Sequence, residues 1–223
     1  MKLFVFTLVI VAASAFAVDA ELGPRHVDGS GPVSIDGLIY SQGYSFGNLL
    51  NGYSNYGAAD RWVCDDFELT DPAYLDTIIV MQIWTGSMAS TMNLVFSEDV
   101  GDSDPNTAIE IWAEAVPCEN YFTGDTAWGF NIYETKCIIN PGTYPELAAN
   151  THYWFETQAD VVDNCFMLVG SWYILDYVWY DDGSGVWQRS DVIFGEESDA
   201  FFNFYGYLLS LESSTWADIK THF

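Results

Sequence analysis

An antiparallel β-sandwich of jelly-roll type, finished by a short C-terminal helix, is the fold expected of this 223-residue chain. Beyond Arg61, apolar and aromatic runs of strand length follow one another, and helical periodicity is almost absent. The stretches "TDPAY", "NPGTYPE" and "YDDGSGVW" punctuate those runs as turns. Many short strands at this spacing point to an all-β sandwich, and the enrichment in aromatic and β-branched residues agrees.

The elements follow in order. Residues 1–17, "MKLFVFTLVIVAASAFA", carry one basic residue, an apolar run from Leu3 to Val11, and Ala15 and Ala17 in an A-x-A arrangement. This is the pattern of a secretory signal peptide, cleaved after Ala17 or Ala20. The apolar run is too short to span a bilayer comfortably, so the expectation is a secreted protein, extracellular or at the cell surface, with no membrane span. Residues 18–60, rich in Gly, Ser, Tyr and Asn, read as a loop-rich opening with short strands at most. Residues 61–209 form the sandwich domain, with strands expected at 62–69, 75–84, 91–96, 108–116, 121–122, 130–139, 151–157, 166–168, 174–180, 186–188 and 200–209. In the tail, 210–223, Thr215 and Asp218 resemble a capping box, and Trp216, Ile219 and Phe223 share one helical face.

The chain holds 32 acidic residues against six basic ones. Such a charge repels nucleic acid and anionic lipid, so neither is expected as a partner. It suits the solubility of an extracellular protein, or the gathering of divalent cations, calcium above all. Four cysteines in an oxidising compartment favour two disulfides, and without a C-x-x-C spacing neither zinc nor a redox motif is expected. Cys118 and Cys137 lie symmetrically about "GDTAWG", as partners across a hairpin would, which leaves Cys64 with Cys165. Sequence alone allows three connectivities.

In "WVCDDFELT", alternation places Asp65 on the face of Val63, Phe67 and Leu69. An inward carboxylate needs donors or a cation. Backbone N–H groups of the Gly-rich opening are the expected partner, with a structural calcium as the alternative. Asp66, on the opposite face, is expected to be solvated. "DSDPNTAIEIWA" begins like an EF-hand loop but has Thr107 where glycine is needed and Ala113 where a bidentate glutamate is needed. A calcium site of another kind, using Asp99, Asp102 and Asp104 with Asp65, remains a candidate. The three histidines, His26, His152 and His222, fit no catalytic motif, and no nucleophile elbow, zinc helix or nucleotide loop occurs. The chain is therefore read as non-catalytic, with a glycoside hydrolase as the least favoured alternative because a pair of carboxylates alone excludes nothing.

Nine Trp and fourteen Tyr exceed the needs of a core. Trp112 shares its face with Glu110 and Glu114, which suggests exposure. Trp172, Trp179, Tyr180 and Trp187 crowd one predicted hairpin beside Gln188. Flat rings for a sugar's apolar face and an amide for its hydroxyls are the parts of a carbohydrate platform.

The order of "WVCDDFELT", "LVFSEDVGDSDPNTAIEIW", "ELAANTHYWFET" and "DAFFNFYG" resembles a loosely defined group of secreted bacterial β-sandwich proteins, most of unassigned function. The resemblance covers residues 61–206. It implies that the D-D-F strand opens the sandwich and that Ala149, Thr151, Tyr153 and Trp154 belong to a core strand, and it implies no activity. The resulting expectation is a secreted module that binds an extracellular polymer, carbohydrate first. The alternative is a self-associating surface or matrix protein, with calcium as its one possible cofactor; its oligomeric state is not legible.

Overall fold

A computed structural model describes residues 37–44, 46–171, 177–195 and 197–209. The expected signal peptide, the C-terminal helix over 210–223 and Trp172 lie outside the described residues. The Gly-rich opening supplies two short strands, β1 (Leu38–Gln42) and β2 (Leu49–Ser54). There follow β3 (Trp62–Glu68), β4 (Ala73–Trp84), β5 (Thr91–Glu98), β6 (Ile109–Ala127), β7 (Phe130–Ile138), β8 (Glu146–Leu147), β9 (His152–Ala159) and β10 (Cys165–Gly170). The remainder is β11 (Trp179–Asp181), β12 (Gln188–Arg189), one helical turn α1 (Ser190–Ile193), β13 (Asp199–Ala200) and β14 (Phe202–Leu208). Among the described residues no helix is long and apolar enough to cross a membrane.

All strand ladders are antiparallel, and the longest path through the sheet runs β1-β14-β4-β7-β6-β5-β9-β3-β11-β12. The hinge of this path is β6. The strands expected at 108–116 and 121–122 are one element of 19 residues that changes partner: it pairs with β5 up to Pro117 and with β7 from Cys118 onward. Proline is tolerated there for a geometric reason. The Cys118 N–H points to Ser90 O on the β5 side, so by alternation Pro117 lacks its N–H on the β7 side, where pairing has not yet begun.

The sheet curls so that its two halves share one core. Phe204 of β14 packs its ring 4.8 Å from Phe67 of β3, 5.5 Å from Phe96 of β5 and 5.1 Å from Phe155 of β9. Each such ring, fully buried, contributes roughly 1.5–3 kcal/mol of apolar transfer. Where β14 shifts register against β4, a Cβ on Gly206 would meet the Tyr74 carbonyl oxygen at 1.9 Å, so only glycine lets the strands close. A smaller cluster, Met81, Ile83, Ile132, Leu168 and Phe201, lies apart from that core and is covered in part by Tyr44 and Leu49 of the opening segment.

Candidate functional site

Successive residues of β3, β9 and β5 point to opposite faces. Val63, Phe67, Phe155, Leu94 and Phe96 enter the shared core. The alternate residues form an outer face whose composition the register defines. One row reads Gln158, Asn93, Ala115; the next reads Trp179, Cys64, Glu156, Val95, Ala113; a third reads Asp66, Trp154, Ser97 and, after a bulge, Glu110.

A shallow groove of about 290 Å³ runs along this face, lined by Trp62, Asn93, Val95, Ala113 and Ala115 among others. The alanines leave space on β6, and the Trp62 indole supplies a flat apolar wall. Polar groups converge beside it. The Asn93 side-chain amide donates to Gln158 Oε1 at 3.0 Å, and Gln158 Nε2 donates to Asp60 Oδ1 at 3.2 Å. Trp62 Nε1 donates to the same oxygen at 3.1 Å, which fixes the ring. In the next row Ser97 Oγ donates to Glu156 Oε1 at 2.9 Å. Burial pushes the Glu156 carboxyl up to about 7, helped by nearby Glu110 and opposed by the Ser97 bond. Near neutral pH this row therefore offers a carboxylic acid as well as a carboxylate.

One end of the face is walled by tryptophans. Cys64, Trp154 and Trp179 are buried together, with Trp187 and Ala108 packed against them, and the Trp154 and Trp179 rings meet edge to face at 6.1 Å. The Asn106 side chain holds the backbone of Trp187 from both sides, accepting its N–H at 2.8 Å and donating to its carbonyl at 3.1 Å.

These positions correct the expected aromatic platform. Trp179 and Tyr180 are only 8% and 7% exposed, because Trp179 is sealed by its indole neighbours and Tyr180 enters the main core. Trp187 is half-buried, and Gln188 is exposed at the sheet edge. Trp112 faces the core side, its ring 5.6 Å from Phe96 and its Nε1 donating to Thr143 O at 2.6 Å. Its alternates Ile109 and Ile111 are the exposed ones. A bulge opposite Phe96 and Ser97 breaks the alternation here: Trp112 lies across from Phe96 on the core side and Glu110 across from Ser97 on the outer face, so the two do not share a face.

The acids divide likewise. Asp65 is buried and bound by backbone donors as expected, yet these are Ala200 N–H of β13 at 2.6 Å and Asp66 N–H at 3.1 Å, not donors of the opening segment. Burial, with Asp199 and Asp66 close by, holds its carboxyl well above the usual range against those two bonds. Asp66 is not solvated. It is fully buried and bonded to His152 Nε2 at 2.5 Å, while His152 Nδ1 lies 3.4 Å from Asp99 Oδ2. The bond to Asp66 raises the His152 pKa, burial opposes it, and Asp99 adds to the rise.

Asp102 and Asp104 are committed to their own loop, and Asp99 to that loop together with His152 and Trp154. Asp99 accepts the N–H groups of Gly101 and Ser103; Asp102 accepts the Thr107 hydroxyl and Asp104 N–H; Asp104 accepts the backbone and side-chain N–H of Asn106. Asp65, on the inner face, is not brought to them. Among the described residues no group of three or more His, Cys, Asp or Glu is placed to hold a metal ion.

No two cysteines stand at bonding distance. Cys118 and Cys137 are directly opposite in the β6-β7 register, as the hairpin reading expects. Cys64 and Cys165 are not brought together, since the first belongs to the tryptophan cluster and the second to the main core. The groove residues Trp62 and Asn93, and their neighbours Glu156 and Gln158, went unread in the sequence. Their only signal is the alternation of polar residues along β5 and β9, which an ordinary solvated strand shows equally.

No family model matches this chain, and no curated protein is significantly similar to it.

Proposed function

We propose that this chain is an exported, non-catalytic β-sandwich module of jelly-roll type that binds an extracellular carbohydrate polymer along the outer-face groove. The observation that carries this reading is the groove itself: a fixed indole, a floor of small side chains and a chain of amides from Asn93 through Gln158 to Asp60. A sugar ring lays its C–H face on Trp62 while the half-buried Asn93 bonds its hydroxyls, held in place by the buried Gln158. The shallow, open shape suits one stretch of a long polymer.

Affinity electrophoresis and a glycan array test it. Wild-type protein is expected to be retarded by a defined polysaccharide, and Trp62→Ala or Asn93→Ala to lose retardation with an unchanged melting temperature. Undiminished binding by Trp62→Ala overturns the groove as the site.

A self-associating surface protein is the second reading. It is favoured by Phe122, Trp128 and Phe130, which the β6-β7 hairpin leaves 52%, 58% and 44% exposed. That reading expects molecular mass in solution to rise with protein concentration, and with calcium if the acidic loop takes part.

A further inference from the structure

Register and hydrogen bonding separate the four cysteines into one pair and two singles. Facing residues in an antiparallel ladder are either hydrogen-bonded to each other or not, and the second kind brings Cα atoms to about 4.5 Å with side chains closest. Two bonds on different flanks decide which kind Cys118 and Cys137 are. Cys118 N–H donates to Ser90 O at 2.9 Å, on the β5 side. Ile139 N–H donates to Asp76 O at 2.9 Å, and the two-residue repeat turns the peptide groups of Cys137 toward β4 as well. Each cysteine directs its backbone away from the other, so the pair is of the non-hydrogen-bonded kind. A disulfide spans Cα atoms about 4.4–6.8 Å apart, so no strand has to move to accept one here.

Access is built in. Cys118 is half-buried, with Sγ 3.4 Å from Ala89 O, and Cys137 is fully buried behind it. A hydrogen bond with Cys137 favours the Cys118 thiolate, and the same contact, with burial, disfavours that of Cys137. Cys64 and Cys165 are fully buried in separate clusters.

We propose that Cys118 and Cys137 form a cross-strand disulfide that staples β6 at the residue where it leaves β5 for β7, and that Cys64 and Cys165 stay thiols. The Cys118 thiolate attacks an external disulfide and expels one thiol. Cys137 then gives up its proton and attacks the Cys118 sulfur of the mixed disulfide, expelling the second thiol. Two protein S–H bonds become one S–S bond, and the external disulfide is reduced to two thiols that carry the two protons.

The test equilibrates the folded chain with oxidised glutathione, alkylates it natively, then unfolds it and alkylates with a second, heavier reagent before peptide mapping. The expected result is one linked peptide pair, Cys118 with Cys137, and the second label on Cys64 and Cys165 only. A linkage between Cys64 and Cys165, or four thiols after oxidation, overturns the proposal. Oxidised wild type is further expected to melt above the Cys118→Ser, Cys137→Ser double variant, and the reduced wild type to melt with it. Equal melting of oxidised and reduced protein overturns the staple.

Discussion

The two faces of the half-sheet β3-β9-β5 differ by a single step along each strand, yet they do opposite work. The inner face carries Val63, Phe67, Leu94, Phe96 and Phe155 and is closed by the other half of the curled sheet. The outer face carries Asp66, Trp154, Glu156, Gln158, Asn93 and Ser97, and is covered in part by the tryptophan cluster, the acidic loop and the 57–60 turn over Gln158. Burying an ionisable group costs free energy, so a face that keeps the Glu156 carboxyl raised is not optimised for stability. The inner face holds the fold, and the outer face carries the polar and ionisable groups.

Phe204→Ala breaks the inner side of this comparison. Its ring touches those of Tyr40, Phe67, Phe96, Phe155 and Phe202, so it joins both halves of the sheet. The expected loss is about 3–5 kcal/mol, read by urea denaturation. A loss under about 1 kcal/mol is what a surface position gives, and it shows that the halves share no core.

On the outer face the largest expected effect has the opposite sign. Glu156 ionises at about 7 in the folded chain against an ordinary 4.5. The folded state therefore keeps a proton that the unfolded state has lost, and stability falls as pH rises through that window. Glu156→Gln removes this loss. It is expected to stabilise the protein by about 2–3 kcal/mol at pH 8 and to change little at pH 4, from the energy of the shift. An equal effect at both pH values assigns the change to packing rather than to ionisation.

His152→Gln sharpens the contrast from the rim of the same face. The imidazole pKa is raised by Asp66, so the stabilisation is fully present below the unfolded value near 6.5 and is lost as pH rises through the folded value. The variant is expected to lose about 1.5–2 kcal/mol at pH 5.5, the worth of a charge-assisted bond, and less above the folded pKa. An NMR titration of His152 gives the same answer directly: a midpoint at or below 6.5 removes the ion pair from the account.

The legible and illegible parts of the fold divide along a physical line. Alternation identified the strands around Asp65 and put that carboxylate inward with backbone donors, because a period of two is local. Coverage is not local. Whether Trp112 or Ile111 is wet, and whether Asp66 meets water or His152, depends on elements distant in the chain: the 140–143 turn beneath Trp112, and β9, which brings His152 beside Asp66. The strands expected at 108–116 and 121–122 run on as one for a related reason, since β6 changes partner after Pro117 and stays paired throughout. The pairing of Cys64 with Cys165 failed because symmetry about a turn informs on hairpin partners and says nothing about two remote residues.

Asn106→Ala gives the smallest expected effect and separates the wall of the outer face from its floor. The side chain accepts from and donates to the Trp187 backbone, while its own loop is anchored through Asp99 to His152. Removing three exposed bonds, two to the Trp187 backbone and one to Asp104, is expected to cost about 1 kcal/mol and to shift tryptophan emission to the red as Trp187 loosens. Polysaccharide retardation through Trp62 should survive, because the Trp62 ring is held by Asp60 and not by the Asn106 loop. If the loop acts as one unit between His152 and Trp187, Asn106→Ala and His152→Gln together cost less than their sum, since either one already frees the loop from one anchor. Strict additivity instead makes the tryptophan wall and the His152 ion pair independent features that share only a loop.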